Sequence, residues 1–110
     1  MADHKAGHEF EIIERYFKPL ASGVEGAFGL EDDAAEVSPR EGCSLVVTVD
    51  AMVEGIHFLD DGLPADTGYK ALAVNVSDLC AKGATPVGYL LSLAMPEQIE
   101  AEWLKSFVEG

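Results

Sequence analysis

The sequence predicts an α/β (α+β) domain in which helices lie against a mixed sheet. Two apolar runs predict buried strands: Leu45–Val49, which is rich in β-branched residues, and Val87–Ala94. Around them lie stretches in which apolar residues recur every three to four positions, the spacing of an amphipathic helix. The alternation of these two kinds of segment favours helices layered on one sheet.

Each predicted helix has its own boundary signals. The first ends near Pro19, and the second, which contains Lys70–Leu79, can be capped by Asp66 or Thr67 and stopped at Gly83. Pro96 opens the third. The apolar face of the first helix consists of Phe10, Ile13, Phe17 and Leu20, widened by Ile12 and Tyr16. The apolar face of the third consists of Ile99, Trp103 and Phe107.

The length and composition predict a single domain. The chain has 110 residues, of which 48% are hydrophobic, enough for one compact domain with its own core. We expect this domain to span residues 1–110, with residues 1–8 as a flexible polar tail. The last helical pattern stops without a closing strand, which predicts that the chain is part of a longer protein.

The charge balance restricts the partners. Seven basic against twenty acidic residues give a formal net charge of -13, which repels nucleic acids and anionic lipid surfaces. A phosphate ester would be repelled too unless divalent cations lay between it and the protein. The sequence contains neither the apolar core of a signal peptide nor an apolar run of about 20 residues. We therefore expect a cytoplasmic protein without nucleic-acid or membrane partners.

Familiar catalytic motifs do not occur in the sequence. It contains no Walker-type loop, G-x-S-x-G elbow or dinucleotide fingerprint. Cys43 and Cys80 are far apart and predict neither a disulfide framework nor a zinc site, so both are interpreted as ordinary thiols. His4 and His8 lie in the polar terminus and indicate no role.

Aspartates at three unusual places are candidate magnesium ligands. They are the pair Asp32 and Asp33 after a glycine-containing loop, Asp50 at the end of a predicted strand, and Asp78 within an apolar helix. Mg²⁺ prefers oxygen ligands and often uses one or two carboxylates together with substrate phosphates. The alternatives remain open: a solvated turn for the pair, a satisfied strand-end carboxylate for Asp50, and a solvated helix face for Asp78.

Three further side chains are weaker candidates. Thr48 lies two residues before Asp50, on the same side of the predicted strand, and can serve as a second ligand or satisfy the strand itself. His57 can meet a substrate or be structural or exposed. Lys70 can meet a phosphate or be an ordinary lysine on a helix surface.

Four blocks of the sequence, residues 9–17, 29–35, 48–58 and 69–84, carry its most distinctive motifs. The second contains Gly-Leu-Glu-Asp-Asp-Ala-Ala, and the last contains Asn-Val-Ser-Asp-Leu-Cys-Ala-Lys-Gly. In this order and at this spacing, the blocks resemble the thiamine-monophosphate kinase family. The resemblance covers nearly the whole chain from Glu9 onward.

The resemblance implies the fold of the aminoimidazole ribonucleotide synthetase-like superfamily, which includes selenophosphate synthetase. In that fold, N-terminal domains form a homodimer in which their sheets pair into a barrel. ATP and several Mg²⁺ ions lie in a cleft toward a C-terminal domain, which this chain lacks. By matching motifs, the implied metal ligands are Asp33, Thr48, Asp50 and Asp78. The resemblance also implies that His57 contacts the thiamine phosphate.

Two positions depart from the family pattern: Glu31 replaces the usual Gly before the paired aspartates, and Val49 replaces the usual hydroxyl residue before Asp50. The first adds an acidic group or tightens the backbone, and the second removes a side-chain ligand. The resemblance implies ATP-dependent phosphorylation of thiamine monophosphate to thiamine diphosphate. Two alternatives stay open, a sibling enzyme of the aminoimidazole ribonucleotide synthetase or selenophosphate synthetase type, and a non-catalytic metal-binding and dimerisation module. The isolated chain is expected to be inactive.

Overall fold

The first helical region is a series of short helices of different pitch. The computed structural model describes residues 6–110, and in it α1 spans Glu9–Ile12. The chain continues as a π-helical segment, Ile13–Phe17, and a 3₁₀-helical turn, Lys18–Ala21. Pro19 lies at the start of that last turn, where its missing N–H costs nothing, and regular helix does not continue far beyond it. The predicted end of this region near Pro19 is confirmed.

The N-terminal segment is anchored where it can be described. Ala6 is buried, and its N–H donates to the carbonyl of Ile99 at 3.1 Å. This differs from the flexible tail expected for residues 1–8, because a residue with a buried side chain and a paired amide is held in place. Residues 1–5, which include His4, lie outside the described part of the chain.

The second predicted helix is the longest element. We call it α2, and it spans Pro64–Ala81. It begins slightly before the predicted caps because Pro64 occupies the first turn, for which its fixed φ is suited. Gly83 has a φ of +68° and ends the helix as predicted, with its N–H donating to the Cys80 carbonyl at 3.0 Å.

The third helix, α3, spans Ala101–Glu109 and starts later than predicted. Pro96 does not open it. The Ile99 carbonyl accepts the Ala6 N–H, and Glu100 is extended with φ −77° and ψ 140°. Because this backbone pairs with the N-terminal segment, helix begins only after it.

Helices α2 and α3 pack closely, and Leu104 of α3 also forms the core cluster with Ala6 and Ile12 of the N-terminal region. Leu104 is fully buried at 0% exposure, and Phe107 stacks on Trp103 with ring centroids 5.2 Å apart. At the crossing, a Cβ on Gly68 would overlap the Phe107 carbonyl oxygen. The side-chain oxygen of Ser106 accepts the N–H of Ala65 at 3.1 Å, so α3 caps the first turn of α2.

The predicted sheet is not formed among residues 6–110. Leu45–Val49 and Val87–Ala94 carry no ladder hydrogen bonds, and the β-type pairing described consists of isolated bridges, one of them between Glu54 and Phe58. Val47 is 85% exposed and Leu90 89% exposed. A strand needs a second strand to satisfy its backbone, whereas a helix satisfies its own. The strand and barrel predictions are therefore not confirmed.

The overall dimensions agree with this incomplete core. The radius of gyration is 15.5 Å, whereas a compact domain of this length has about 13 Å. The extents are 56 × 31 × 18 Å. No helix in residues 6–110 combines the length and the apolar character needed to cross a membrane.

Candidate functional site

The paired aspartates lie in an exposed bend after a strained stretch of backbone. A pair of short 3₁₀ turns, Glu25–Leu30, leads into it, and Phe28 and Leu30 have φ values of +50° and +57°. Residues other than glycine adopt this left-handed backbone conformation at a cost of about 1–3 kcal/mol. Such strain persists where the surroundings hold it, which makes this segment a candidate for a functional loop.

The two aspartates of the pair are not equivalent. The Asp32 carboxylate accepts the N–H of Asp33 at 2.7 Å, so it is used within the bend. The Asp33 carboxylate accepts no hydrogen bond from the described residues and is exposed. An open depression of about 290 Å³ is lined by Phe28, Glu31, Asp32 and Asp33. Asp33 therefore has both carboxylate oxygens free of hydrogen bonds from the described residues, whereas Asp32 has one oxygen used in the bend.

Lys18 links the first helical region to this bend through ion pairs with Glu14 and Glu31. Its Nζ lies 2.8 Å from Glu31 Oε1 and 3.3 Å from Glu14 Oε2. The hydrogen bonds to Glu31 and then Glu14 raise the pKa of Lys18, and the bond from Lys18 lowers the pKa of Glu31. Glu31, which departs from the family pattern, thus shares Lys18 with Glu14 in an exposed ion-pair cluster.

A backbone contact closes the base of the same loop. The Glu36 N–H donates to the Gly26 carbonyl at 2.8 Å. A Cβ at Gly26 would overlap the Glu36 carbonyl oxygen, so this approach requires glycine. The bend that carries Asp33 is therefore held at its base by this contact and at Glu31 by Lys18.

Thr48 and Asp50 lie on the first extended run. Thr48 is partly buried, whereas Val49 is 87% exposed and Asp50 is also exposed. Without a neighbouring strand, nothing fixes these side chains relative to the other candidates. The alternatives of ligand and ordinary strand residue both stay predictions.

His57 lies in a tight turn over Val53–Phe58. Its Nδ1 accepts the Val53 N–H at 2.8 Å, and its carbonyl accepts a hydrogen bond from the Lys70 ammonium on α2. The imidazole is exposed. The structure thus gives Lys70, interpreted from the sequence as either a phosphate contact or a surface lysine, a definite partner.

Asp78 lies exposed on α2. On the preceding turn, the Asn75 amide nitrogen donates to the Ala71 carbonyl at 2.9 Å, while its amide oxygen is buried without a hydrogen-bond partner. An unpaired buried oxygen costs free energy in the isolated chain. The sequence indicated that Asn75 shares a face with Asp78 but gave no sign of this unpaired oxygen.

The described arrangement does not bring the predicted ligands together. Within residues 6–110, no three His, Cys, Asp or Glu side chains are placed to hold one metal ion. The donor set itself, carboxylates with a hydroxyl, suits Mg²⁺. The residues therefore fit this metal in chemistry, and their convergence stays a prediction.

Sequence reasoning also missed Lys18. The spacing of four residues from Glu14 is a helical ion-pair signal and gives half of its environment. The contact with Glu31 joins residues 13 positions apart across the glycine-rich turns, and no local pattern predicts it.

Comparison with protein-family models places the chain in a known family. The family model described as AIR synthase related protein, N-terminal domain, matches residues 31–110. The chain belongs to this family. The matched segment contains all the predicted site residues, from Asp33 to Asp78.

Curated relatives narrow the resemblance. The chain is 46% identical over 103 residues to the thiamine-monophosphate kinase of Escherichia coli (strain K12), covering 93% of this chain and 31% of the relative. It is 47% identical over 103 residues to the same-named protein of Bacillus subtilis (strain 168), covering 93% and 32%. For Caulobacter vibrioides the identity is 41% over 102 residues, covering 93% and 29%.

These relatives confirm the resemblance predicted from the sequence blocks. The chain spans about a third of their length. No solved structure matches the chain.

Proposed function

We propose that this chain is the N-terminal, magnesium-binding part of a thiamine-phosphate kinase. The whole enzyme would use ATP to phosphorylate thiamine monophosphate to thiamine diphosphate. The observation that carries the proposal is the identity of 41% to 47% with thiamine-monophosphate kinases over 93% of the chain. Sequence similarity at this level across an entire domain favours a shared reaction over a shared fold alone.

The acidic residues would serve this reaction by holding cations. In our proposal, Asp33, Thr48, Asp50 and Asp78 provide oxygen ligands for Mg²⁺. Bound Mg²⁺ would offset the charge of the phosphates and align donor and acceptor. The carboxylates would act as ligands and not as general bases, because the acceptor is already an ionised phosphate oxygen. No protein nucleophile is required, and positioning would supply most of the rate.

The net charge of -13 supports this role for cations. Both ATP and thiamine monophosphate carry negative phosphates, and bare carboxylates would repel them. The bend supports Asp33 as a ligand, because its exposed carboxylate accepts no hydrogen bond from the described residues. The Lys18–Glu31 pair supports the same site only through geometry, since it links the bend beside Asp33 to the first helical region.

The separated ligands lead to a proposal about assembly. Asp50 directly follows the exposed run Leu45–Val49, and a second exposed run, Val87–Ala94, follows α2. We propose that these runs become strands of the sheet of a homodimer through the N-terminal domain. Strand pairing would bury Val47 and Leu90 and fix Asp50 relative to the rest of the site.

A sibling reaction is the second candidate, because the family that matches is named for AIR synthase. An enzyme of the aminoimidazole ribonucleotide synthetase type would consume ATP with formylglycinamidine ribonucleotide instead. The isolated chain, at about a third of the relatives' length, would act as a metal-binding and dimerisation module without activity.

A chimeric enzyme tests the proposal. The chain replaces the matching third of the Escherichia coli relative, and thiamine diphosphate formation is measured with Mg²⁺ and ATP. Formylglycinamidine ribonucleotide serves as the competing acceptor, and circular dichroism reports whether the chimera is folded. We expect product from thiamine monophosphate alone. A folded chimera that consumes ATP only with the other acceptor, or with neither, would contradict the proposal.

A further inference from the structure

The turn that carries His57 is closed by its own backbone. The Gly55 N–H donates to the Phe58 carbonyl at 2.7 Å, and the His57 N–H donates to the Val53 carbonyl at 2.8 Å. Gly55 has a φ of +81°, a conformation that glycine adopts without strain. The turn is therefore a defined unit, although its side chains are largely exposed.

The hydrogen bonds of the turn fix the state of the imidazole. Nδ1 of His57 accepts the Val53 N–H, so Nδ1 carries no proton and the ring proton is on Nε2. No residue within 6–110 accepts a hydrogen bond from Nε2. The ring therefore presents its Nε2–H as a donor, a group that suits a phosphate oxygen.

Lys70 connects this turn to the rigid part of the molecule. Its ammonium donates to the His57 carbonyl. Lys70 lies on α2 just after Thr67 and Gly68, which are buried against α3. A side chain based on a packed helix holds its partner more firmly than one based on a loop.

We propose that Lys70 is a positioning residue for His57. Its bond to the His57 carbonyl fixes the turn on α2 so that Nε2–H is presented to the phosphate of a phosphate monoester substrate. The inference rests on the proposed function, in which His57 contacts that phosphate. In this proposal Lys70 acts through His57, whose carbonyl takes one of the three N–H donors of the Lys70 ammonium, and does not itself contact the substrate.

Hydrogen exchange in the chain itself tests the structural step. Lys70→Met keeps the aliphatic stem and the helix propensity but removes the donor. We expect the amides of Val53 and Gly55 to exchange roughly tenfold faster, the effect of losing one charge-assisted hydrogen bond. Lys70→Arg should restore slow exchange. Lys82→Met is the matched control, because Lys82 makes no side-chain hydrogen bond within residues 6–110 and should leave both amides unchanged.

Kinetics of the chimeric enzyme test the functional step. Lys70→Met should raise the KM for thiamine monophosphate by roughly tenfold and leave the KM for ATP unchanged. For Lys70→Arg, the KM for thiamine monophosphate should lie between those of the unsubstituted chimera and Lys70→Met. A raised KM with unchanged exchange would mean that Lys70 contacts phosphate directly, and it would overturn the proposal. Faster exchange with an unchanged KM would also overturn it. An inactive but folded wild-type chimera would reject the proposed function, whereas unchanged exchange in Lys70→Met rejects the positioning role independently.

Discussion

The α2–α3 pair and the two apolar runs differ in what they bury. Leu104 on α3 is 0% exposed, whereas Leu90 in the second run is 89% exposed. Leu104 lies on the apolar face of an amphipathic helix, whereas Leu90 lies in an apolar run. A helix forms its hydrogen bonds within consecutive residues, so α2 and α3 can pack as soon as they meet. A strand takes its hydrogen bonds from another segment, so without one most side chains of the two runs are exposed, and Leu93, which packs against the core cluster, is the partly buried leucine of the second run.

The largest expected difference between the two regions is the effect of shortening a leucine. Leu104→Ala removes a fully buried side chain and should lower the free energy of unfolding by about 2–5 kcal/mol. Leu90→Ala should change it by less than about 0.5 kcal/mol. Urea denaturation of both variants, followed by circular dichroism, measures the contrast. Equal losses would show that the second run is buried in the isolated chain.

The helix crossing provides the next largest effect. Gly68→Ala gains about 1 kcal/mol of helix propensity but forces a Cβ into the Phe107 carbonyl, which costs about 1–3 kcal/mol. We expect a net loss of about 1 kcal/mol and a lower thermal midpoint. Gly88→Ala is the control, because no atom lies within 4 Å of its Cβ. A stabilised Gly68→Ala would mean that the two helices are farther apart.

The cap between the helices has a smaller effect. Ser106→Ala removes the acceptor of the Ala65 N–H and should cost about 0.5–1 kcal/mol, the usual range for a lost N-terminal cap. Ser77→Ala, on an exposed part of α2, should be neutral within about 0.5 kcal/mol. The two variants are compared by urea denaturation. A neutral Ser106→Ala would indicate that water replaces the serine.

The smallest effect belongs to the exposed Lys18–Glu31 pair. Because Lys18 lowers the pKa of Glu31, the pair stabilises the fold above the usual carboxyl value of 4.5 and loses this as pH falls through the lowered pKa. The pKa of Lys18 is raised above its usual value of 10.5. The stabilisation that its charge gives the folded state is therefore fully present below pH 10.5 and is lost as the pH rises through the raised pKa.

Carboxyl NMR titration measures this pair directly. Lys18→Met should return the pKa of Glu31 toward 4.5, whereas Lys105→Met on α3 should leave it where it was. An identical titration of Glu31 in the wild type and in Lys18→Met would show that the ion pair does not form in solution.

The sequence predicted features whose signals are local. The end of α2 at Gly83 follows from the preference of glycine for positive φ, and the whole signal lies within a few residues. The start of α3 was mispredicted because the Ile99 carbonyl bonds to Ala6, which is distant in sequence. The sheet depends on partner strands in the same way, so apolar runs alone did not determine it.

In the candidate site, too, the contacts between residues distant in sequence were the ones that the sequence did not predict. The resemblance singled out Asp33 over Asp32 as a ligand, and that choice stays a prediction, although the structure adds a hydrogen bond within the bend that the sequence did not indicate. The ion pair of Lys18 with Glu31 and the bond of Lys70 to the His57 turn each join residues 13 positions apart. Neither has a sequence signal, because which side chains meet across 13 residues depends on the intervening fold.

The magnesium dependence of the chimeric enzyme tests the central claim most directly. Asp78→Asn keeps the shape of the side chain but removes the charge that we assign to metal binding. We expect a lower turnover and a magnesium requirement raised by roughly tenfold or more. Asp66→Asn, at the other end of α2, should leave both unchanged. An unchanged magnesium titration in Asp78→Asn would contradict the assignment of this chain as the metal-binding part of the kinase.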